Sequence, residues 1–108
     1  MIRAFVFGLA LSAIAVCATA LAAPTYSITL FEHKDFQGRS LTYREAVANL
    51  SSTGLNDAAS SVKVVPGQRW LLCRHKKFRG GCIVVDRDVS DLAPLGFNDR
   101  ISSLRPVD

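Results

Sequence analysis

The chain repeats itself, and that repeat limits its possible folds more than any other feature. Slid against itself by 42 residues without a gap, it returns His33-Lys34 as His75-Lys76, Phe36 as Phe78 and Gly38 as Gly80. Val47 and Leu50 return as Val89 and Leu92, Gly54 as Gly96, and Asn56-Asp57 as Asn98-Asp99. Ser60-Ser61 returns as Ser102-Ser103, and Val65 as Val107. The identities gather on Gly, Asn, Asp and Ser rather than on common apolar residues, which a chance match would favour. Two tandem units of about forty residues follow, with Pro66-Gly67 as the turn between them.

Local patterning within each unit is that of strands. Tyr26, Ile28 and Leu30 alternate with Ser27 and Thr29; Leu41 and Tyr43 flank Thr42; Val62 and Val64 flank Lys63. In the second unit, Trp70 to Cys73 and Cys82 to Val85 are short continuous apolar runs, as in strands buried within a sandwich. Arg44 to Leu50 and Asp86 to Leu92 carry charges and small residues, and read as loops with a helical turn. Beyond the N-terminal segment no stretch sustains a period of about 3.6 residues, so the domain is expected to be all-β.

Composition matters at the N-terminus. The chain is 49% apolar, and much of that excess lies between Ala4 and Thr29, where no residue is charged. Arg3, the apolar run from Ala4 to Val16, and the small residues of Ala20-Leu21-Ala22 make the pattern of a secretory signal peptide cut after Ala22. Ser, Thr and Ala dilute the second half of the run, which argues against a retained membrane anchor. Residues 23–108 are then one domain, with its first unit at about 26–66 and its second at about 68–108. Cleavage removes Arg3 and Cys17, so thirteen basic and nine acidic residues become twelve and nine, a net charge of +3. That mild excess gives no reason to expect nucleic acid as a partner. The expected location is secreted or periplasmic, with no stable membrane span after cleavage.

Two repeated elements carry chemistry. Phe31 and Phe36 stand five apart with Gly38 two beyond; in a hairpin the rings can stack over the turn while Gly supplies a positive φ. The second unit keeps Phe78 and Gly80 but has Cys73 where the first aromatic stands. The other element is harder to explain by packing. Asn56-Asp57-Ala58-Ala59-Ser60-Ser61 and Asn98-Asp99-Arg100-Ile101-Ser102-Ser103 both read N-D-x-x-S-S, just before a strand. Such residues bind their own backbone in Asx-turns and caps. They also suit a hard cation such as Ca²⁺, which gathers about six to eight oxygens from carboxylate, amide, hydroxyl and carbonyl groups. Duplication at one offset favours the cation.

Aromatic-x4-aromatic-x-Gly, followed some twenty residues later by N-D-x-x-S-S, resembles the βγ-crystallin Greek key motif. Phe31 to Gly38 and Gly96 to Arg105 are the most similar stretches, and the likeness covers about residues 26–107. It is strongest to the single-domain microbial members. The resemblance implies an all-β sandwich of two Greek keys, built as two four-stranded antiparallel sheets, each Greek key contributing a strand to the other sheet. It also implies two Ca²⁺ ions held reciprocally at one end of the domain, which is expected to be a monomer. Asn56 and Asp57 would share an ion with Ser102, and Asn98 and Asp99 one with Ser60, assisted by backbone carbonyls near Glu32 and Arg74. A structural, stress or envelope role would follow.

Cys73 and Cys82, nine residues apart, either form a disulfide across the second hairpin or remain two buried thiols. His33 and His75 read as equivalent surface residues, since no zinc spacing surrounds them. No nucleophile elbow or triad order stands out, so no enzyme activity is expected. Arg74, Lys76, Lys77 and Arg79 around Phe78 read as a solvated basic loop. Asn49-Leu50-Ser51 fits a glycosylation sequon. The rival reading is a secreted protease inhibitor or toxin-like effector on the same fold, using the basic hairpin around Phe78. Inhibition would give no reason to keep both oxygen motifs, and the sequence names no protein partner.

Overall fold

The computed structural model describes residues 25–53, 55 and 57–108; the expected leader at 1–22, Gly54 and Asn56 lie outside the described residues. The repeat is carried into the structure element by element. The first unit forms β1 (Ile28–His33), β2 (Gln37–Tyr43) and β3 (Ser61–Val64). The second forms β4 (Arg69–His75), β5 (Arg79–Val85) and β6 (Ser103–Val107). Each set is one antiparallel sheet, in the orders β2-β1-β3 and β5-β4-β6. The registers match as well: Ile28 lies opposite Tyr43 and Val64, while Trp70 lies opposite Val85 and Pro106.

Side chains alternate across a strand, so Ile28, Leu30 and Val62 of one sheet and Trp70, Leu72 and Leu104 of the other are buried together in one core. Thr29 faces outward instead, its hydroxyl 2.8 Å from that of Thr42 on the neighbouring strand. The long loops are pinned to the same core. Leu50 and Leu92, Leu55 and Phe97, and Ala59 and Ile101 are each one repeat apart, and all are at most 1% exposed. A fully buried Leu or Phe contributes about 1.5–3 kcal/mol, which makes these loops parts of the packed body and anchors the ends of both motifs through Ala59 and Ile101.

The sheets are three-stranded, not four-stranded as the resemblance implies. The expected crossing does occur, but it shrinks to one residue pair in each direction. Val47 of the first unit bonds Leu104 of the second through both backbone groups, at 2.8 and 3.0 Å, and Val89 does the same with Val62 at 2.9 and 3.0 Å. The ladder cannot lengthen from there. Beyond Val62, the Val64 N–H donates to the Asp88 carboxylate at 2.8 Å instead of to a crossing backbone. Beyond Leu104 stands Pro106, which has no N–H to donate. Val47 and Val89 pack on the core, but the residues around them are exposed.

The hairpins repeat as well. A tight three-residue turn, Lys34–Phe36, joins β1 to β2, and Lys76–Phe78 joins β4 to β5. Asp35 and Phe36 have φ of 59° and 60°, and Lys77 and Phe78 both have 60°. The Phe31 and Phe36 rings meet edge to face at 5.7 Å rather than stacked, with the Lys63 ammonium 4.8 Å from the Phe36 ring centre. In the second hairpin Cys73 and Cys82 are register partners and are joined by a disulfide. The Cys73 side is fully buried and the Cys82 side exposed.

Candidate functional site

The two N-D-x-x-S-S segments face each other at one end of the sandwich, tied by reciprocal backbone bonds. The Asp57 N–H donates to the Ile101 carbonyl at 3.0 Å, and the Asp99 N–H to the Ala59 carbonyl at 2.8 Å. Both aspartates adopt left-handed φ, 56° and 55°, which Asp tolerates better than most residues. The serines that follow are anchored to the hairpins. The Ser60 N–H bonds the Phe31 carbonyl and the Ser102 N–H the Cys73 carbonyl, each at 2.8 Å. Their own carbonyls accept Leu92 N–H at 2.9 Å and Leu50 N–H at 2.8 Å, so each is held by the other unit's loop.

That frame leaves the hydroxyls aimed at the opposite unit. Ser102 Oγ donates to Asp57 Oδ1 at 2.9 Å, and Ser60 Oγ lies 3.4 Å from Asp99 Oδ1. An open cleft of about 500 Å³ lies beside Asp57 and Ser102 and is also lined by Arg74, Asn98 and Asp99. A second, of about 310 Å³, lies beside Ser60 and Asp99, with Glu32, His33 and Asp57 in its walls. The structure therefore brings Asp57, Ser102 and Arg74 together, and separately Asp99, Ser60 and Glu32. Asn98 donates a long bond of 3.4 Å to its neighbour Asp99. Asn56, expected beside Asp57, lies outside the described residues.

The second serine of each motif has another job. Ser61 Oγ donates to the His33 carbonyl at 2.6 Å and accepts from Phe36 N–H at 3.1 Å. Ser103 Oγ does the same with His75, at 2.6 Å, and Phe78 N–H, at 3.0 Å. Both are fully buried and clamp the left-handed turns, so they are not available to a ligand.

His33 and His75 are exposed, as the sequence led one to expect, and their rings also lie across the hairpin glycines. A Cβ at Gly38 would sit 2.5 Å from His33 Cδ2, and one at Gly80 only 2.0 Å from His75 Cδ2. The recurring His-Lys-x-Phe-x-Gly spacing is the signal that could have shown it. The Arg74 side chain, too, has a fixed place. Its guanidinium is 4.4 Å from the Phe97 ring centre and donates to the Gly96 carbonyl at 3.3 Å.

Each cleft offers Asp carboxylates and a Ser hydroxyl, oxygen donors that suit a hard cation. Among the described residues no three His, Cys, Asp or Glu side chains gather as a metal cluster. An ion here would therefore draw most of its oxygens from backbone, hydroxyl and water. Among the described residues no helix is long and apolar enough to cross a membrane.

The family model described as Beta/Gamma crystallin matches residues 27–107. A solved beta gamma crystallin from Ciona intestinalis is 29% identical, with a TM-score of 0.69 over 75% of this chain and 99% of that one. The N-terminal domain of protein S is 35% identical, with a TM-score of 0.65 over 76% and 96% of the two chains. A betagamma-crystallin domain from Flavobacterium johnsoniae is 31% identical, with a TM-score of 0.67 over 74% and 92%. The Epidermal differentiation-specific protein of Cynops pyrrhogaster is 48% identical over 46 residues, which are 43% of this chain and only 13% of that protein.

Proposed function

The chain belongs to the beta/gamma-crystallin family, and from that premise we propose that it is an exported, non-enzymatic domain binding two calcium ions between its facing Asn-Asp loops. One site would use Asp57, with Asn56, and the Ser102 hydroxyl, near the backbone carbonyl of Arg74. The other would use Asp99, with Asn98, and the Ser60 hydroxyl, near that of Glu32. The observation that carries this reading is the reciprocal pairing of hydroxyl and carboxylate across the two units, at 2.9 Å and 3.4 Å. Packing alone gives no reason for a Ser of one unit to seek an Asp of the other twice, beside an open cleft each time. Export rests on the leader at 1–22 and places residues 23–108 in the secreted or periplasmic space, as a monomer.

When bound, the ion supplies a positive charge that neutralises the facing carboxylates and links loops from both units. What the protein supplies is preorganisation. The left-handed Asp residues, the buried serine clamps and the core-anchored leucines hold the oxygens in place before any ligand arrives. With one or two carboxylates per site, dissociation constants should fall between about micromolar and millimolar, a range that millimolar extracellular calcium would fill. Calorimetric titration of the metal-stripped protein, with melting temperature followed in parallel, tests the proposal. Heat from two binding events and a calcium-dependent rise in melting temperature are expected; neither effect at millimolar calcium would defeat it.

A further inference from the structure

Resting on that calcium reading, we propose that the two sites are unequal and that the Ser60–Asp99 site is the tighter, because the second unit places arginines where the first has an acid and an alanine. The facing pair is the same on both sides, a Ser hydroxyl and an Asp carboxylate. The charges around them are not. Glu32 and Ala58 line the Ser60–Asp99 cleft, whereas Arg74 and Arg100 line the Ser102–Asp57 cleft. Arg74 stands one repeat after Glu32, and Arg100 one repeat after Ala58.

Local pairing does not erase the difference. Arg39 lies 3.4 Å from the Glu32 carboxylate and offsets its charge. The residue equivalent to Arg39 is Gly81, over which the Arg74 side chain lies; a Cβ there would be 2.6 Å from Arg74 Nη1. That guanidinium is fixed by the Phe97 ring and the Gly96 carbonyl, immediately before Asn98 and Asp99, so its charge stays at the cleft. Even with Glu32 fully offset by Arg39, the Ser102–Asp57 cleft carries two more positive charges, those of Arg74 and Arg100. A divalent ion feels each of them doubly, and in a solvated setting two such charges weaken binding by roughly tenfold. Salt should narrow the gap, since the charges are exposed and screened.

The test is calcium titration of the full chain by calorimetry together with amide NMR, reading Ser60 and Ser102 separately. The expected result is two steps about tenfold apart, with the Ser60 amide moving first. Arg100→Ala, on an exposed loop, should tighten the second step severalfold and leave the first in place; Arg74→Gln should do the same, and Glu32→Gln should weaken the first. Equal steps, Ser102 moving first, or an unchanged second step in Arg100→Ala would overturn the inequality while leaving the calcium reading intact. No binding in the wild-type chain would remove both.

Discussion

The buried serine clamps make the fold's turns testable one hydroxyl at a time. Ser103→Ala removes a bond of 2.6 Å to the His75 carbonyl and one of 3.0 Å from the Phe78 N–H. Ser103 is fully buried. Leaving a buried backbone group unpaired costs about 1–3 kcal/mol, and here two lose this partner in a part-buried turn. Partial access of water to the turn lowers the sum, so a loss of about 2–4 kcal/mol is expected. The turn it secures holds Lys77 and Phe78 at φ of 60°, a region that bulky residues occupy only under constraint. For a domain of this size each kcal/mol moves the melting temperature by about 4–8 °C. Ser61→Ala should behave alike in the other sheet, and the double variant should be near additive, since the clamps are separate. Urea unfolding followed by the fluorescence of Trp70, with the disulfide intact, reads all three. Losses below about 0.5 kcal/mol in both single variants would refute the clamp as described.

Calcium at 100 times its dissociation constant should stabilise the domain by about 2.7 kcal/mol per site, and Ser60→Arg with Ser102→Arg should abolish the gain, as read by scanning calorimetry with and without chelator. Gly80→Ala should cost more than about 1 kcal/mol, from its φ of 83° and the 2.0 Å approach of His75 Cδ2. Adding His75→Ala should recover the steric part alone, so a full rescue in denaturant melts would contradict the φ argument. Replacing Cys73 and Cys82 by Ser should cost about 2–3 kcal/mol for so short a loop, measured by urea unfolding against the oxidised parent.

Much of this was legible in the sequence because the duplication is physical. The same residues at the same offset produced the same turns, registers and loop anchors, and N-D-x-x-S-S did mark the place where the units meet. What was not legible depends on contacts that a linear pattern does not encode. Val47 and Val89 each stand alone among exposed neighbours, and only Pro106 and the Asp88 carboxylate explain why their crossings stop after one pair and leave three strands per sheet. Ser60 and Ser61 look equivalent as oxygen donors, yet burial makes one a clamp and leaves the other facing a cleft. The side chains of His33, His75 and Arg74 fill space over glycines, which spacing hints at but does not state. Cys73 and Cys82 left two chemistries open, and the register that sets them opposite each other closed the question.

The crossed bonds between the units have a topological consequence. Asp35 N–H reaches the Ser90 carbonyl and Lys77 N–H the Ala48 carbonyl, both at 2.7 Å, so each half completes its wiring only on the other. The molecule is in effect a dimer of two pieces of like fold carried on one chain, with Pro66-Gly67 as the tether that joins them. A nick at that tether should leave fragments that stay associated through gel filtration, and neither fragment should hold its fold once the other is washed away.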